Sequence, residues 1–178
     1  MDISKISHSE GSVSRINVII EIPSGLAPAK YEVDEASGAI RVDRFVPSAM
    51  YYPCNYGFIP HTLAGDGDPV DVLVVTGAPV IPGAVILCRP VGVLIMEDEG
   101  GQDEKILAVP CSSVDPFYSN INSYEDLPEI FINKISHFFE HYKDLDNHKW
   151  TKIVGWGSME KAEEIIKESL TRAETSVS

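Results

Sequence analysis

The sequence has few cysteines, no long apolar run and little positive charge. Its 178 residues include only three cysteines, Cys54, Cys88 and Cys111, and no C-x-x-C pair. An odd number at wide spacing fits neither a disulfide framework nor a zinc ribbon. Proline, glycine or charge interrupts every apolar stretch, which excludes a transmembrane helix, and residues 1–14 lack the apolar core of a signal peptide. We therefore expect a reduced, soluble, cytoplasmic protein with no membrane partner.

Basic residues are scarce relative to acidic ones. Lys and Arg total 14 against 27 Asp and Glu, which gives a formal net charge of −13. Nucleic-acid affinity comes mostly from cationic neutralisation of phosphate, so this balance argues against DNA or RNA as a partner. It permits divalent cations. The common nucleotide-binding motifs, Walker A and G-x-G-x-x-G, are also missing.

Apolar periodicity divides the chain into a β-rich first two thirds and a helical last third. Strand patterns separated by Gly and Pro occur at 15–22, 30–33, 39–42, 70–76, 85–88, 91–96 and 106–109. Short strands at this spacing indicate a barrel or a sandwich. Apolar residues then recur at helical spacing from Leu127 to Tyr142, and a second helix is predicted to follow Ser158, a suitable N-cap. No linker interrupts the pattern, so we predict one domain over residues 1–178.

The sharpest feature is the acidic turn at 66–71, with the sequence Asp-Gly-Asp-Pro-Val-Asp. Asp66, Asp68 and Asp71 repel one another, so folding them together is costly unless a cation intervenes. Hard oxygen ligands of this kind suit Mg²⁺, Mn²⁺ or Ca²⁺. Asp, Gly and Pro are also common in solvated turns, so a metal site and a surface turn both remain open. An EF-hand fits poorly, because Val70 and Asp71 stand where its loop needs an oxygen ligand and a glycine.

A second acidic segment, at 97–105, connects two predicted strands. In isolation it is typical of an exposed hairpin loop. Two Asp-bearing loops at strand ends could nevertheless converge on one site.

Residues 137–141 match the H-x-x-E-H pattern of inverted zinc peptidases. His137 and His141 share a helix face and could bind zinc. A zinc metallopeptidase using His137, Glu140 and His141 is therefore the alternative function, although the sequence identifies no further ligand downstream. A surface or interface face of the helix explains the same pattern. A third hypothesis, an OB-like barrel that binds oligonucleotides, is opposed by the net charge.

The acidic turn and several further motifs resemble the family I soluble inorganic pyrophosphatases. Residues 66–72 match the family signature at every position. The resemblance is to the bacterial branch and extends to segments 21–23, 30–32, 42–45, 52–57, 88–93, 137–145, 149–150 and 155–156. It leaves residues 1–14 as a variable N-terminal extension of the domain.

The resemblance implies hydrolysis of inorganic pyrophosphate to two phosphates by direct in-line attack of a metal-bridged water. Several Mg²⁺ ions would serve each site, with Mn²⁺ or Zn²⁺ as substitutes. Asp68 would be the general base. The metals would be held by Asp66, Asp71, Asp98, Asp103, Glu21 and Glu32. The substrate phosphates would be held by Lys30, Arg44, Tyr56, Lys105, Tyr142 and Lys143.

The same resemblance implies a homohexamer with contacts through the helix that bears His137 and His141. This would place the two histidines in an interface rather than around zinc. The expected fold is mainly β with α: a single-domain, five-stranded OB-like β-barrel flanked by two C-terminal helices. The predicted site holds seven acids against four bases, so a polyanionic substrate would need metal to bind.

Overall fold

Eight strands and two α-helices form the framework of the domain in a computed structural model, which describes residues 1–26, 29–34 and 36–176. The strands are β1 Ile16–Ile22, β2 Ala29–Val33, β3 Ile40–Phe45, β4 Asn55–Phe58, β5 Asp71–Val74, β6 Val85–Asp98, β7 Gly101–Pro110 and β8 Thr151–Gly157. The helices are α1 Glu129–His141 and α2 Met159–Ser176. None of the helices within the described ranges is long and apolar enough to cross a membrane.

Five of the strands close into a ring. The order is β1-β4-β5-β7-β6, and β6 pairs back onto β1. All neighbours in the ring are antiparallel except β5 and β7, which are parallel. β8 adds to the outer part of β6, while β2 and β3 form a separate hairpin. This confirms the predicted single, mainly β domain with a five-stranded, barrel-like sheet and two later helices.

Both faces of the ring strands are buried, because successive side chains of a strand point to opposite faces. Val72 and Ile106 belong to one apolar cluster, which includes Ile165 and other residues of α2. Leu73 and Leu107, their chain neighbours, belong to a second cluster that includes the apolar side of α1. The two helices therefore cover different sides of the sheet, and α1 lies on the side that carries the site described below.

Most predicted elements are present, and α2 begins after Ser158 as expected. The Ser158 hydroxyl accepts a hydrogen bond from the Lys161 N–H at 3.4 Å. The two predicted strands at 85–88 and 91–96 form one continuous strand, β6. A register shift between Pro90 and Gly92 accommodates the proline within its pairing to β7.

Two strands, β4 and β8, are absent from the sequence prediction. β4 has only four residues, one of which is Gly57. A Cβ on Gly57 would lie 2.0 Å from the Ile19 carbonyl oxygen, so the close approach of β4 to β1 requires glycine. β8 alternates half-buried and exposed positions and contains two glycines. Pairing with β6, rather than its own pattern, makes it a strand.

Candidate active site

The acidic turn leads directly into β5. Gly67 adopts a positive φ of 97°, a conformation that suits glycine. The Asp68 N–H donates to Asp66 Oδ1 at 3.1 Å, and the Ala64 N–H donates to the Asp68 carbonyl at 2.7 Å. With the turn folded this way, Asp66, Asp68 and Asp71 line one cavity.

Lys105 lies between two carboxylates in this cavity. The parallel pairing of β5 and β7 sets Asp71 opposite Lys105. The Lys105 Nζ donates to Asp71 Oδ2 at 2.7 Å and to Asp103 Oδ1 at 2.8 Å. The rings of Tyr56 and Phe139 lie 5.5 and 5.6 Å from the same nitrogen. Burial disfavours the charge, but Asp71 and Asp103 raise the pKa of Lys105 well above its ordinary value, so it remains an ammonium.

A second buried lysine, Lys143, follows α1. Its Nζ donates to Asp98 Oδ2 at 2.7 Å and to Glu99 Oε1 at 3.3 Å. Burial raises the pKa of Asp98, but the hydrogen bond from Lys143 lowers it. The net result is a pKa below the ordinary value for an aspartate. Lys149 Nζ lies 3.9 Å from Glu99 Oε1. These ion pairs join the end of β6 to the chain that follows α1.

The β2–β3 hairpin contributes two further cations at paired positions, Lys30 and Arg44. The Lys30 Nζ donates to Glu32 Oε1 at 2.5 Å and lies 3.7 Å from Asp43 Oδ2. Arg44 Nη1 is 3.4 Å from the same Asp43 oxygen. The Arg44 Nε is buried and has no hydrogen-bond partner among the described residues. A buried donor without an acceptor, at the wall of this cavity, suits an anionic ligand.

Glu21 is a buried carboxyl at the edge of the site. It is 8% exposed and accepts a hydrogen bond from the Val33 N–H at 2.7 Å. Burial raises the pKa of Glu21 to about 8; the Val33 bond opposes this rise, whereas Asp71 and Glu32 add to it. Without a cation beside it, the neutral form of Glu21 is therefore favoured near pH 7, and a bound cation would favour the carboxylate.

Three tyrosines are held in their neutral form. Burial raises the pKa of Tyr52 to about 12 and raises the pKa of Tyr56 and Tyr142 strongly. The Tyr52 ring lies 5.6 Å from that of Tyr56 and 4.7 Å from that of Phe138, centroid to centroid. Hydroxyls that keep their protons can donate hydrogen bonds to an anion.

All the predicted site residues line two adjoining cavities of about 220 and 330 Å³, which share Lys30, Tyr56, Asp68 and Asp71. Glu21 and Glu32 line the larger cavity. The smaller is lined by Lys30, Arg44, Tyr56, Asp66, Asp68, Asp71, Asp98, Asp103, Lys105, Tyr142 and Lys143.

Four residues that line the smaller cavity are absent from the prediction: Tyr52, Glu99, Phe139 and Lys149. Tyr52 and Lys149 lie inside segments that resemble the family, and Glu99 lies beside Asp98 in the second acidic segment. The sequence therefore contained a signal for these three residues. Phe139 is apolar and looks like a core residue from the sequence. With Glu99 and Lys149 included, eight acids face five bases, and the formal balance of the site stays at −3.

The H-x-x-E-H motif lies away from this site. The rings of His137 and His141 are 4.7 Å apart, and His141 Nδ1 lies 2.9 Å from Asp144 Oδ2. Neither histidine lines the two cavities. Within the described part of the chain, no third side chain completes a metal-ligand group with them. The metallopeptidase alternative is not supported.

Buried cations and neutral tyrosines beside several carboxylates suit a protein that binds a small, densely charged phosphate compound. The family model for inorganic pyrophosphatases matches residues 18–174. The inorganic pyrophosphatase of Caulobacter vibrioides is 55% identical over 97% of both chains. The crystal structure of an inorganic phosphatase from Anaplasma phagocytophilum has a TM-score of 0.93 at 52% identity, covering 96% of this chain and 99% of that one. An inorganic pyrophosphatase structure from Coxiella burnetii gives 0.91 at 47% identity, with coverage of 94% and 99%.

The chain belongs to the inorganic pyrophosphatase family, in the bacterial branch of family I. It is an inorganic diphosphatase that hydrolyses pyrophosphate to two phosphates.

Proposed function

We propose that the two adjoining cavities form the active site for Mg²⁺-dependent hydrolysis of pyrophosphate by direct attack of water, without a phospho-enzyme. The observation that carries this proposal is the convergence of all the predicted side chains, from both sequence-distant acidic segments, on these cavities. Separate solvated turns would not bring Asp68, Asp98 and Asp103 to a common wall.

The donor set suits a hard divalent cation. Asp66, Asp71, Asp98, Asp103, Glu21 and Glu32 would hold the ions. Among the described residues, no three carboxylates already form a complete ligand group. Mg²⁺ does not require such a group, because it keeps several of its waters and binds proteins through one or two carboxylates at a time. Lys105 engages one oxygen each of Asp71 and Asp103, so both carboxylates can still offer the other oxygen.

Bound Mg²⁺ would supply the positive charge that the site lacks and would lower the pKa of water towards neutrality. Mn²⁺ or Zn²⁺ would serve the same purpose as substitutes.

Asp68 is the general base in this proposal. Its side chain is exposed to both cavities, and no described residue donates a hydrogen bond to its carboxylate. Asp71 and Asp103, in contrast, are paired with Lys105. A carboxylate without a cationic partner is the one best able to accept a proton from water.

The cations and hydroxyls hold the phosphate groups. Lys30 and Arg44 approach from the hairpin, while Tyr142 and Lys143 approach from the end of α1. Tyr56 on β4 and Lys105 on β7 line the same cavity. Donors from these separate elements could bind both phosphate groups of pyrophosphate and stabilise the charge that develops on the leaving phosphate.

The direct test is phosphate release from pyrophosphate with Mg²⁺ and with EDTA. We expect release with Mg²⁺ and none with EDTA, and restoration when excess Mg²⁺ is returned. Full activity in EDTA would overturn the metal requirement without affecting the family assignment.

We also propose a cytoplasmic homohexamer that uses the outward face of α1. Ile130, His137 and His141 are spaced seven and four residues apart and therefore share one face, and Ile130 is 66% exposed. Three free, buried cysteines are consistent with a reducing compartment. Light scattering on the eluting protein would give the oligomer mass directly, and a monomer mass would overturn the assembly.

A further inference from the structure

The hairpin that carries Lys30, Glu32 and Arg44 lies outside the ring. Its strands β2 and β3 pair only with each other. Among the described residues of these two strands, Val33 is the one that is fully buried, while Tyr31 is partly buried against the main core. An isolated two-stranded hairpin is marginally stable in water. The orientation of its cations therefore depends on the packing of both Tyr31 and Val33.

The first residues of the chain supply a contact for Val33. Ile3 is 5% exposed and forms a small cluster of its own with Val33, Ile19 and Phe58. This cluster is separate from the two large apolar clusters on either side of the sheet. Ile3 thus fills the space between the hairpin and the ring strands β1 and β4.

Hydrogen bonds fix the N-terminal segment in place. The Ile6 N–H donates to the Ile3 carbonyl at 2.9 Å and closes a short turn. The Asn17 N–H donates to the His8 carbonyl at 2.9 Å, and the Asn17 side chain donates to the Ser7 carbonyl at 2.9 Å. Residues 3–8 are therefore attached to β1 at one end and carry Ile3 at the other.

The same segment also touches the tip of the hairpin. Gly38 lies in the turn between β2 and β3 with a φ of 67°. A Cβ on Gly38 would lie 1.7 Å from the Met1 carbonyl oxygen, so the two backbones are in close contact. The N-terminal segment thus contacts the turn end of the hairpin twice, at Val33, which pairs with Ile40 beside the turn, and at Gly38 within the turn.

Val33 connects this cluster to the active site. Its N–H donates to Glu21 Oε1 at 2.7 Å. Val33, Phe58 and Glu21 line the larger cavity together with Lys30 and Glu32. Ile3 therefore lies directly behind a wall of the site without lining it.

We propose that Ile3 is a positioning residue for pyrophosphate hydrolysis, which holds the β2–β3 hairpin against the ring so that Lys30 and Arg44 face the carboxylates. The inference rests on the proposed roles of these two cations. It gives the first residues of the chain, which precede the part matched by the family model at residues 18–174, a part in substrate binding.

The test compares Ile3→Ala with a matched control, Ile165→Ala. Ile165 is 7% exposed on α2, and the substitution removes the same atoms from a cluster that does not contact the hairpin. We expect Ile3→Ala to raise KM for pyrophosphate about three- to tenfold and to change kcat about twofold or less, since misplaced binding groups weaken substrate binding. Ile165→Ala should lower stability without changing KM. Ile3→Val, which keeps most of the contact, should restore KM.

A readout independent of activity is hydrogen exchange at the Val33 amide. Ile3→Ala should accelerate it relative to wild type, and Ile165→Ala should not. Wild-type KM and unchanged Val33 exchange in a folded Ile3→Ala protein would overturn the inference, as would an equal rise of KM in the control. A wild-type protein that releases no phosphate would instead refute the proposed function, and the exchange experiment would still test Ile3.

Discussion

Asp71 and Lys105 occupy partner positions on the two parallel strands of an otherwise antiparallel ring, and their side chains meet at 2.7 Å. Lys105 contacts Asp103 at a similar distance, so one buried ammonium serves two carboxylates. This internal cation partly neutralises the carboxylates before any metal binds. The barrel can therefore fold around a strongly acidic site, which an unpaired cluster would oppose.

Replacing Lys105 by Met tests this role. The substitution keeps much of the side-chain volume but leaves two largely buried carboxylates without a counter-charge. We expect the metal-free protein to lose about 3 kcal/mol of unfolding free energy. Urea denaturation in EDTA would measure the loss, and added Mg²⁺ should recover part of it. The control is Lys167→Met, at an exposed pair with Glu163 on α2, which should change stability little.

Asp68→Asn should abolish most turnover while leaving metal binding in place. Loss of a general base lowers kcat by about 10²–10⁴-fold. Phosphate release measures kcat, and the rise of the melting temperature with Mg²⁺ reports metal binding. Glu104→Gln is the matched control, because Glu104 lies next to Asp103 but lines neither cavity. An Asp68→Asn enzyme with the wild-type rate would remove Asp68 from the mechanism.

Stability in EDTA should depend on pH through Glu21. Its pKa is about 8 in the folded state against an ordinary 4.5. The neutral carboxyl is therefore favoured by folding, and its contribution is complete below pH 4.5 and disappears as the pH rises through 8. Glu21→Gln should match wild type near pH 4.5 and exceed it by on the order of 5 kcal/mol at pH 9. Urea titrations at several pH values would measure this, and a constant difference between the two proteins would contradict it.

Ca²⁺ should inhibit phosphate release. Its bonds to oxygen are about 2.3–2.6 Å long and irregular in direction, against about 2.0–2.1 Å and octahedral for Mg²⁺. The reacting groups would therefore be misplaced even if Ca²⁺ bound well. Titrating Ca²⁺ into the assay at fixed Mg²⁺ should reduce the rate progressively. Full activity with Ca²⁺ alone would contradict this prediction.

The sequence predicts the barrel, both helices and the location of the site residues. Strand and helix periods are local properties, so segments such as 15–22 and 127–142 are identified from a few neighbouring residues. The acidic run 66–71 by itself is compatible with either a metal site or a solvated turn, and the site residues follow from the resemblance to the family. The resemblance to the family joins these separate runs into one site.

Properties that arise from pairing between distant segments cannot be predicted from local sequence patterns. β4 and β8 become strands because of their neighbours in the sheet, and the parallel pairing of β5 with β7 determines the contact between Asp71 and Lys105. The role of Phe139 is also hidden from local patterns. It packs in the core and lines a cavity, and the sequence pattern of a core residue is the same whether or not the residue also lines a cavity. The contact of Ile3 with Val33 joins residues 30 positions apart and leaves no periodic signal.

The close contact at Gly57 restricts which substitutions are tolerated at this position. The Ile19 carbonyl leaves no room for a Cβ at this position, and Gly57 directly follows Tyr56 of the active site. Alanine, the smallest missense change, already separates two strands of the ring at that point. A mutational scan selected for pyrophosphate hydrolysis should therefore recover only synonymous codons at position 57, although the residue has no side chain with which to touch the substrate.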